Sequence, residues 1–177
     1  MGSGCTMTED VKIPTGFVPV LRTIADRLSG MREVWALTGS LGLRLQGVPL
    51  EVHDIDLQTT RVGAFEVEQN LESYIVQPVS FFEGGRIRSY FGRLELGGVE
   101  VEVMGDLQKK LPDGRWDQPP DLEVLLSTVA WQGRTIPVLD LVYELEAYRI
   151  LGRQRTAKRI ARRLTSARRG FEGGERQ

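Results

Sequence analysis

Along residues 17–29, Phe17, Val20, Leu21, Ile24, Ala25 and Leu28 recur at steps of three and four. That spacing predicts an amphipathic helix, stopped by Gly30. Val34-Trp35-Ala36-Leu37 is a short apolar run ending in Thr38-Gly39-Ser40, which reads as a buried strand entering a glycine turn. Residues 41–45 read as a short helix closed by Gly47-Val48-Pro49. Over 52–59, Val52, Ile55 and Leu57 stand among polar residues in a strand pattern, and 63–73 predicts a helix. Three strand-like runs follow at 75–82, 87–96 and 99–104, parted by Gly84-Gly85 and Gly97-Gly98; the second pair predicts a hairpin. Residues 107–123 are rich in Pro, Asp and Gly and read as a loop, and 125–131 with 135–138 form a second hairpin around Gln132-Gly133. From Leu139 the period turns helical through Leu141, Leu145, Tyr148 and Leu151, Gly152 breaks it, and a basic helix over about 154–168 follows. One helix, then strands with helices between them, then two helices predicts an α+β or mixed α/β domain with a helical C-terminal part.

Composition adds limits. A chain of 177 residues with 41% hydrophobic and 27% charged residues suits one globular domain. The expected division is a flexible leader over 1–16, a core over 17–138, C-terminal helices over 139–169 and a disordered tail over 170–177. The single cysteine, Cys5, and single histidine, His53, exclude an intramolecular disulfide and a cysteine- or histidine-rich zinc site. No apolar run is long enough to span a membrane and no signal-peptide layout is present, so a cytoplasmic location is expected. Met1-Gly2-Ser3-Gly4-Cys5-Thr6 fits the loose myristoylation pattern, although a leader, with Met7 as an alternative start, explains it as simply. The net charge of −1 is an average over unlike parts. Residues 1–148 hold 13 Lys+Arg and 22 Asp+Glu, whereas 149–169 hold 9 Lys+Arg and no acid. A generally basic nucleic-acid binder is excluded; a local basic surface is not.

The candidate chemistry lies in the acidic part. Thirteen residues after Gly39-Ser40 comes Asp54-Ile55-Asp56-Leu57. On a strand, Asp54 and Asp56 share a face, and two ionised carboxylates there repel unless a cation compensates. Magnesium suits such a pair, with substrate phosphates and water completing its oxygen ligands. In Val99-Glu100-Val101-Glu102-Val103 the valines take one face and the glutamates the other. If that strand lies beside 52–59, Glu100 or Glu102 completes a cluster of three carboxylates. Gly39 at a strand end lets a phosphate approach the backbone, where helix N–H groups and the Ser40 hydroxyl can hold it. Together these parts suit a nucleoside triphosphate, metal ions and in-line attack on phosphorus.

The pattern of Gly-Ser, thirteen residues, Asp-apolar-Asp-apolar and a later acidic strand resembles the nucleotidyltransferase superfamily of DNA polymerase β. Within it the chain is similar to the small branch of minimal, aminoglycoside, lincosamide and toxin-type nucleotidyltransferases. The resemblance covers about 34–106 and implies an α+β fold, a mixed β-sheet flanked by helices with the active site on its open face. It implies that Gly39 and Ser40 hold the triphosphate of an NTP, with ATP-binding expected, and that Asp54 and Asp56 bind two magnesium ions. Glu102 would be the third metal-binding and catalytic carboxylate, with Glu100 as the alternative. Residues 136–153 resemble the branch's C-terminal region, where a helix lysine and a later Lys-Asp pair are expected. This chain has Glu144-Leu145-Glu146-Ala147-Tyr148-Arg149 and Gln154-Arg155 there, so Arg149 or Arg153 is expected to supply the nucleotide-binding charge. The implied reaction moves a nucleoside monophosphate to an acceptor hydroxyl or phosphate of a small molecule, a protein or a tRNA. The alternative is a non-catalytic module that keeps the fold and binds a nucleotide, which the missing lysine favours. His53, by parity with Asp54, is expected to point away from the metal face, and Arg86, Arg88, Arg93 and Trp116 are expected chiefly as strand and loop surface.

Overall fold

A computed structural model describes the backbone of residues 11–172 and side chains as far as residue 167. The leader segment 1–10, with Cys5 and Met7, and the last five tail residues lie outside the described residues. The described residues form six α-helices and seven strands. Helix α1 (Phe17–Leu28) buries Val20, Leu21, Ile24 and Leu28, the stripe its sequence spacing predicts. Strand β1 (Trp35–Thr38) is buried throughout and leads directly into α2 (Gly39–Leu45). β2 (Ile55–Thr59) and α3 (Arg61–Asn70) follow, the helix capped by the Thr60 side chain, which accepts from the Gly63 N–H. A meander of β3 (Ile75–Glu83), β4 (Ile87–Leu96) and β5 (Val99–Lys109) comes next. A single turn, α4 (Leu122–Leu125), precedes the hairpin of β6 (Leu126–Trp131) and β7 (Arg134–Leu139). α5 (Leu141–Ile150) and α6 (Gln154–Glu172) close the chain.

All seven strands form one mixed sheet in the order β3-β4-β5-β2-β1-β7-β6. β2 runs antiparallel to β1, with Thr38 opposite Asp56, and parallel to β5, with Asp56 opposite Glu102. Period-two alternation then sorts the centre of the sheet. Ile55, Leu57, Val101 and Val103 join Leu37 in the main core, together with Leu21 and Ile24 of α1 and Ala64 and Val67 of α3. The opposite face carries Asp56 and Glu102. A second core of Leu43, Val48, Tyr148, Ala157 and Ile160 fastens α5 and α6 to α2. Among the described residues no helix is long and apolar enough to cross a membrane.

Several sequence expectations shift. β2 begins at Ile55, so Asp54 occupies the bend before the strand and period-two parity does not govern it or His53. β5 continues to Lys109, well into the stretch expected as loop. Gly105 lies within this longer strand for a packing reason. A Cβ on it would lie 2.7 Å from the Thr60 carbonyl oxygen and 2.9 Å from the Ala64 Cβ, so α3 can press onto the strand only at glycine. Just beyond, Asp106 and Leu107 together stand opposite the single residue Ser89, and Asp106 takes φ +49°. This is a β-bulge, and it reverses which face each later side chain takes. Finally, α6 runs through Glu172, past the expected end near 168 and through the first residues of the expected tail.

Candidate active site

Helices α5 and α6 and the loop before β2 wall in the open face of the sheet, leaving a cleft of about 670 Å³. Gly39, Ser40, Asp54, Asp56 and Glu102 all line it, as does Arg153. Gly39 sits at φ +64°, and a Cβ there would fall 1.9 Å from Asp56 Oδ2. Only glycine lets this backbone meet that carboxylate. Next to it, Ser40 Oγ is buried with no hydrogen-bond partner among the described residues, as is Gln58 Oε1 on β2. Buried polar atoms are normally paired, so two orphans lining one cleft indicate groups that a ligand satisfies.

The carboxylates strain against one another. Burial, then the charges of Asp54, Glu102 and Glu144, push the Asp56 carboxyl up to about 8, against a pull from Arg153. Glu102 is raised by burial, then by Asp54 and Glu100, and is partly relieved by a hydrogen bond with Asp56 and by Arg93. The two candidates for third carboxylate separate here. Glu102 lies beside Asp56 across the β2–β5 ladder and lines the cleft, whereas Glu100 is exposed outside it and pairs with Arg93 at 3.6 Å.

Two further charged groups line the cleft. Glu144 of α5 is buried, accepts a 2.6 Å hydrogen bond from Thr38 Oγ1, and is pushed up to about 7 by burial. Lys109 is 3% exposed. Its ammonium lies 3.1 Å from Asp117 and 3.2 Å from the Tyr143 hydroxyl. Burial pulls its pKa down, but Tyr143 and Asp117 outweigh that, so the net shift is upward and the amine stays charged. Residue patterns hid both. Glu144 occupies an ordinary helical position, and Lys109 differs in parity from Glu102 until the bulge brings it to the same face. Arg155 and Arg159 of α6 also reach the cleft, which the basic helix foreshadowed only in composition.

The two candidate arginines part ways. Arg153 lines the cleft and stacks over Tyr148, 5.8 Å from the ring centroid. Arg149 is exposed, pairs with Glu146 at 3.9 Å, and does not line the cleft. His53 does line it, contrary to the parity expectation, and its ring lies 3.9 Å from Glu51. The strand arginines serve structure: Arg86 donates to the Leu151 carbonyl at 2.6 Å, and Arg88 stacks on Trp116 at 4.8 Å.

Among the described residues no group of three His, Cys, Asp or Glu side chains is placed so that all three could hold one metal ion. Magnesium does not need such a group, since it takes one or two carboxylates and leaves its other positions to phosphate and water. Asp54, Asp56 and Glu102 fit that demand: an oxygen-only set, open on the cleft side, whose mutual repulsion a divalent cation would relieve.

A mixed sheet with a Gly-Ser turn set against carboxylates on neighbouring strands defines a nucleotidyltransferase fold. A crystal structure from Thermotoga maritima, described as a candidate nucleotidyltransferase, superposes with a TM-score of 0.77 at 43% identity, covering 88% of this chain and 96% of that one. The lincomycin-bound lincosamide antibiotic adenylyltransferase LnuA shares the fold at a TM-score of 0.52 and 14% identity, with 86% and 98% covered. The solution structure of the antibiotic-resistance factor ANT(2'')-Ia does so at 0.50 and 14%, with 89% and 94% covered. Comparison with curated proteins finds no match. The profile of the aminoglycoside-2''-adenylyltransferase family matches residues 20–163, and the chain belongs to that family. It is therefore an enzyme of the small nucleotidyltransferase branch, one that transfers nucleotide groups.

Proposed function

We propose that the enzyme moves a nucleoside monophosphate, with ATP as the favoured donor, to an acceptor hydroxyl and releases pyrophosphate. The observation that carries this is the meeting of Asp54, Asp56 and Glu102 with the Gly39 backbone and the orphaned Ser40 hydroxyl in one cleft. Asp54, Asp56 and Glu102 would hold magnesium, two ions being expected, which when bound supplies positive charge for the triphosphate and for the attacking and leaving oxygens.

The chain's own groups then have distinct tasks. Gly39 admits the phosphates to the backbone, and Ser40 donates to a phosphate oxygen. Arg153, on the opposite wall, draws the triphosphate across the cleft and takes the place of the expected lysine. Its fork can grip two phosphate oxygens at once, which a lysine cannot. Glu102 accepts the proton of the acceptor hydroxyl as that oxygen bonds to the α-phosphorus and the bond to the β-phosphate oxygen breaks. The family name and the lincomycin seen in a structural neighbour make antibiotics reasonable first acceptors to assay.

Labelled ATP, incubated with magnesium and a panel of aminoglycoside, lincosamide, tRNA and protein acceptors, tests the reading. Asp56→Asn and Glu102→Gln should each cut transfer by roughly a hundredfold or more, the scale of losing a positioned acid–base or charge-stabilising group. Glu100→Gln should stay near wild type. Normal turnover in Asp56→Asn overturns the metal assignment, and loss in Glu100→Gln alone moves the third carboxylate.

A further inference from the structure

Beyond the cleft, on its Arg159 side, a second depression of about 490 Å³ is lined by Gly47, Pro49, Arg159, Arg162, Arg163 and Ser166. Arg159 lines both spaces, so the two adjoin at that side chain. Arg155, Arg159, Arg162 and Ser166 follow one another along α6 at steps of four, three and four, a single helical stripe of about 16 Å at 1.5 Å per residue. The stripe is built into place. Arg159 Nη1 donates to the Pro49 carbonyl at 2.7 Å, and Arg163 Nε to the Gln46 carbonyl at 2.9 Å. Gly47, at φ +84°, makes the second contact possible, because a Cβ there would lie 2.7 Å from Arg163 Nε. Each tethered guanidinium keeps other N–H donors for a ligand. Among the described residues the side chains of Arg155, Lys158 and Arg162 find no acidic partner, although the rest of the chain is strongly acidic.

We propose that this stripe is a binding track for the sugar–phosphate backbone of a nucleic-acid strand, laid along α6 with its end in the cleft. An arginine fork matches phosphate and carboxylate alike, and two points favour the strand over an acidic protein. A row of cations about 16 Å long follows successive phosphates of one strand rather than gripping a single anion. The groove also adjoins, at Arg159, the cleft where a terminal hydroxyl would meet the nucleotide, whereas a cationic antibiotic approaching from this side would meet Arg155 and Arg159. What the strand end does there rests on the transfer reading: its hydroxyl oxygen bonds to the α-phosphorus, pyrophosphate leaves, and the proton passes to Glu102. Binding of the strand does not depend on that reading.

Fluorescence anisotropy with labelled single-stranded RNA and DNA 12-mers, over a salt series on the full chain, is the test. Wild type should bind both, and log affinity should fall linearly with log salt. Arg155→Gln/Arg162→Gln should make that slope shallower by about 1.4, or 0.7 for each lost contact to a single strand. Arg162→Lys should keep the slope, and Arg32→Gln/Arg115→Gln, which removes the same two charges from exposed sites elsewhere, should leave it unchanged, as should Arg32→Gln alone. A preference for one of the two sugars identifies the strand. Four results overturn the proposal: no binding at low salt, an equal effect from Arg32→Gln/Arg115→Gln, displacement by polyglutamate as readily as by oligonucleotide, or a dimer that Arg162→Gln dissolves. The last two would assign the groove to an acidic protein or a second copy. Strand binding without transfer to its end keeps the track and counts against the transfer reading; transfer to a small molecule with no strand binding does the reverse.

Discussion

Glu144 illustrates what one misplaced-looking side chain does. It is a carboxyl inside an α-helix, 2% exposed, in the position where the resemblance led one to expect a cation nearby. Its partner is Thr38, the last residue of β1, so it ties α5 to the strand that delivers Gly39. Because burial lifts its pKa from 4.5 to about 7, the folded state binds its proton more tightly than the unfolded chain does. The contribution to stability therefore falls as pH rises from about 4.5 to about 7, by on the order of 3 kcal/mol, and levels off above. Urea unfolding of wild type and Glu144→Gln across pH 5 to 8 checks this: the variant should lose that part of the decline and be the more stable of the two at pH 8. Residues of this kind are the hardest to read from sequence. Asp54 and Asp56 announce themselves because two acids flank one apolar residue, whereas Glu144 is one acid among many on helices.

At the scale of elements, β5 shows why half of a strand was legible and half was not. Its first part alternates valine and glutamate, and the face of each residue followed from parity alone. Its second part begins at Gly105-Asp106, just past the expected strand end, which serves as a close-packing site and a change of face. The ends of β2 and α6 moved for a related reason: periodicity locates an element but not where its hydrogen bonds stop. Lys109 is the product of the bulge, and its ion pair with Asp117 is largely enclosed. Lys109→Ala should lower stability by about 3 kcal/mol, because the Asp117 charge is left without its partner. Lys109→Met/Asp117→Leu should recover much of that loss, read as the guanidinium midpoint at constant slope.

For the molecule as a whole, the segregated charges put three mutually repelling carboxylates in one wall and a basic helix beside them. A ligand that binds only the folded state stabilises it, by about 2.7 kcal/mol at a hundred times its dissociation constant. Magnesium with ATP should therefore raise the melting temperature, EDTA should reverse the rise, and Asp56→Asn should show neither effect; differential scanning fluorimetry reads all three. The fold class and the acidic half of the site were legible because each rests on local spacing. The cleft itself was not, since its walls come from residues about a hundred positions apart and no local pattern records which distant helix returns.

That distance also orders events in time. Thr38 and Glu144, joined in the finished protein, are 106 positions apart. A ribosome adding 5–20 residues per second finishes Glu102 roughly 3 to 11 seconds before Arg159. Throughout that interval the carboxylate wall has been synthesised and its arginine roof has not. The acidic residues are thus made before the helices that wall them in, and the site is complete only once α5 and α6 have docked.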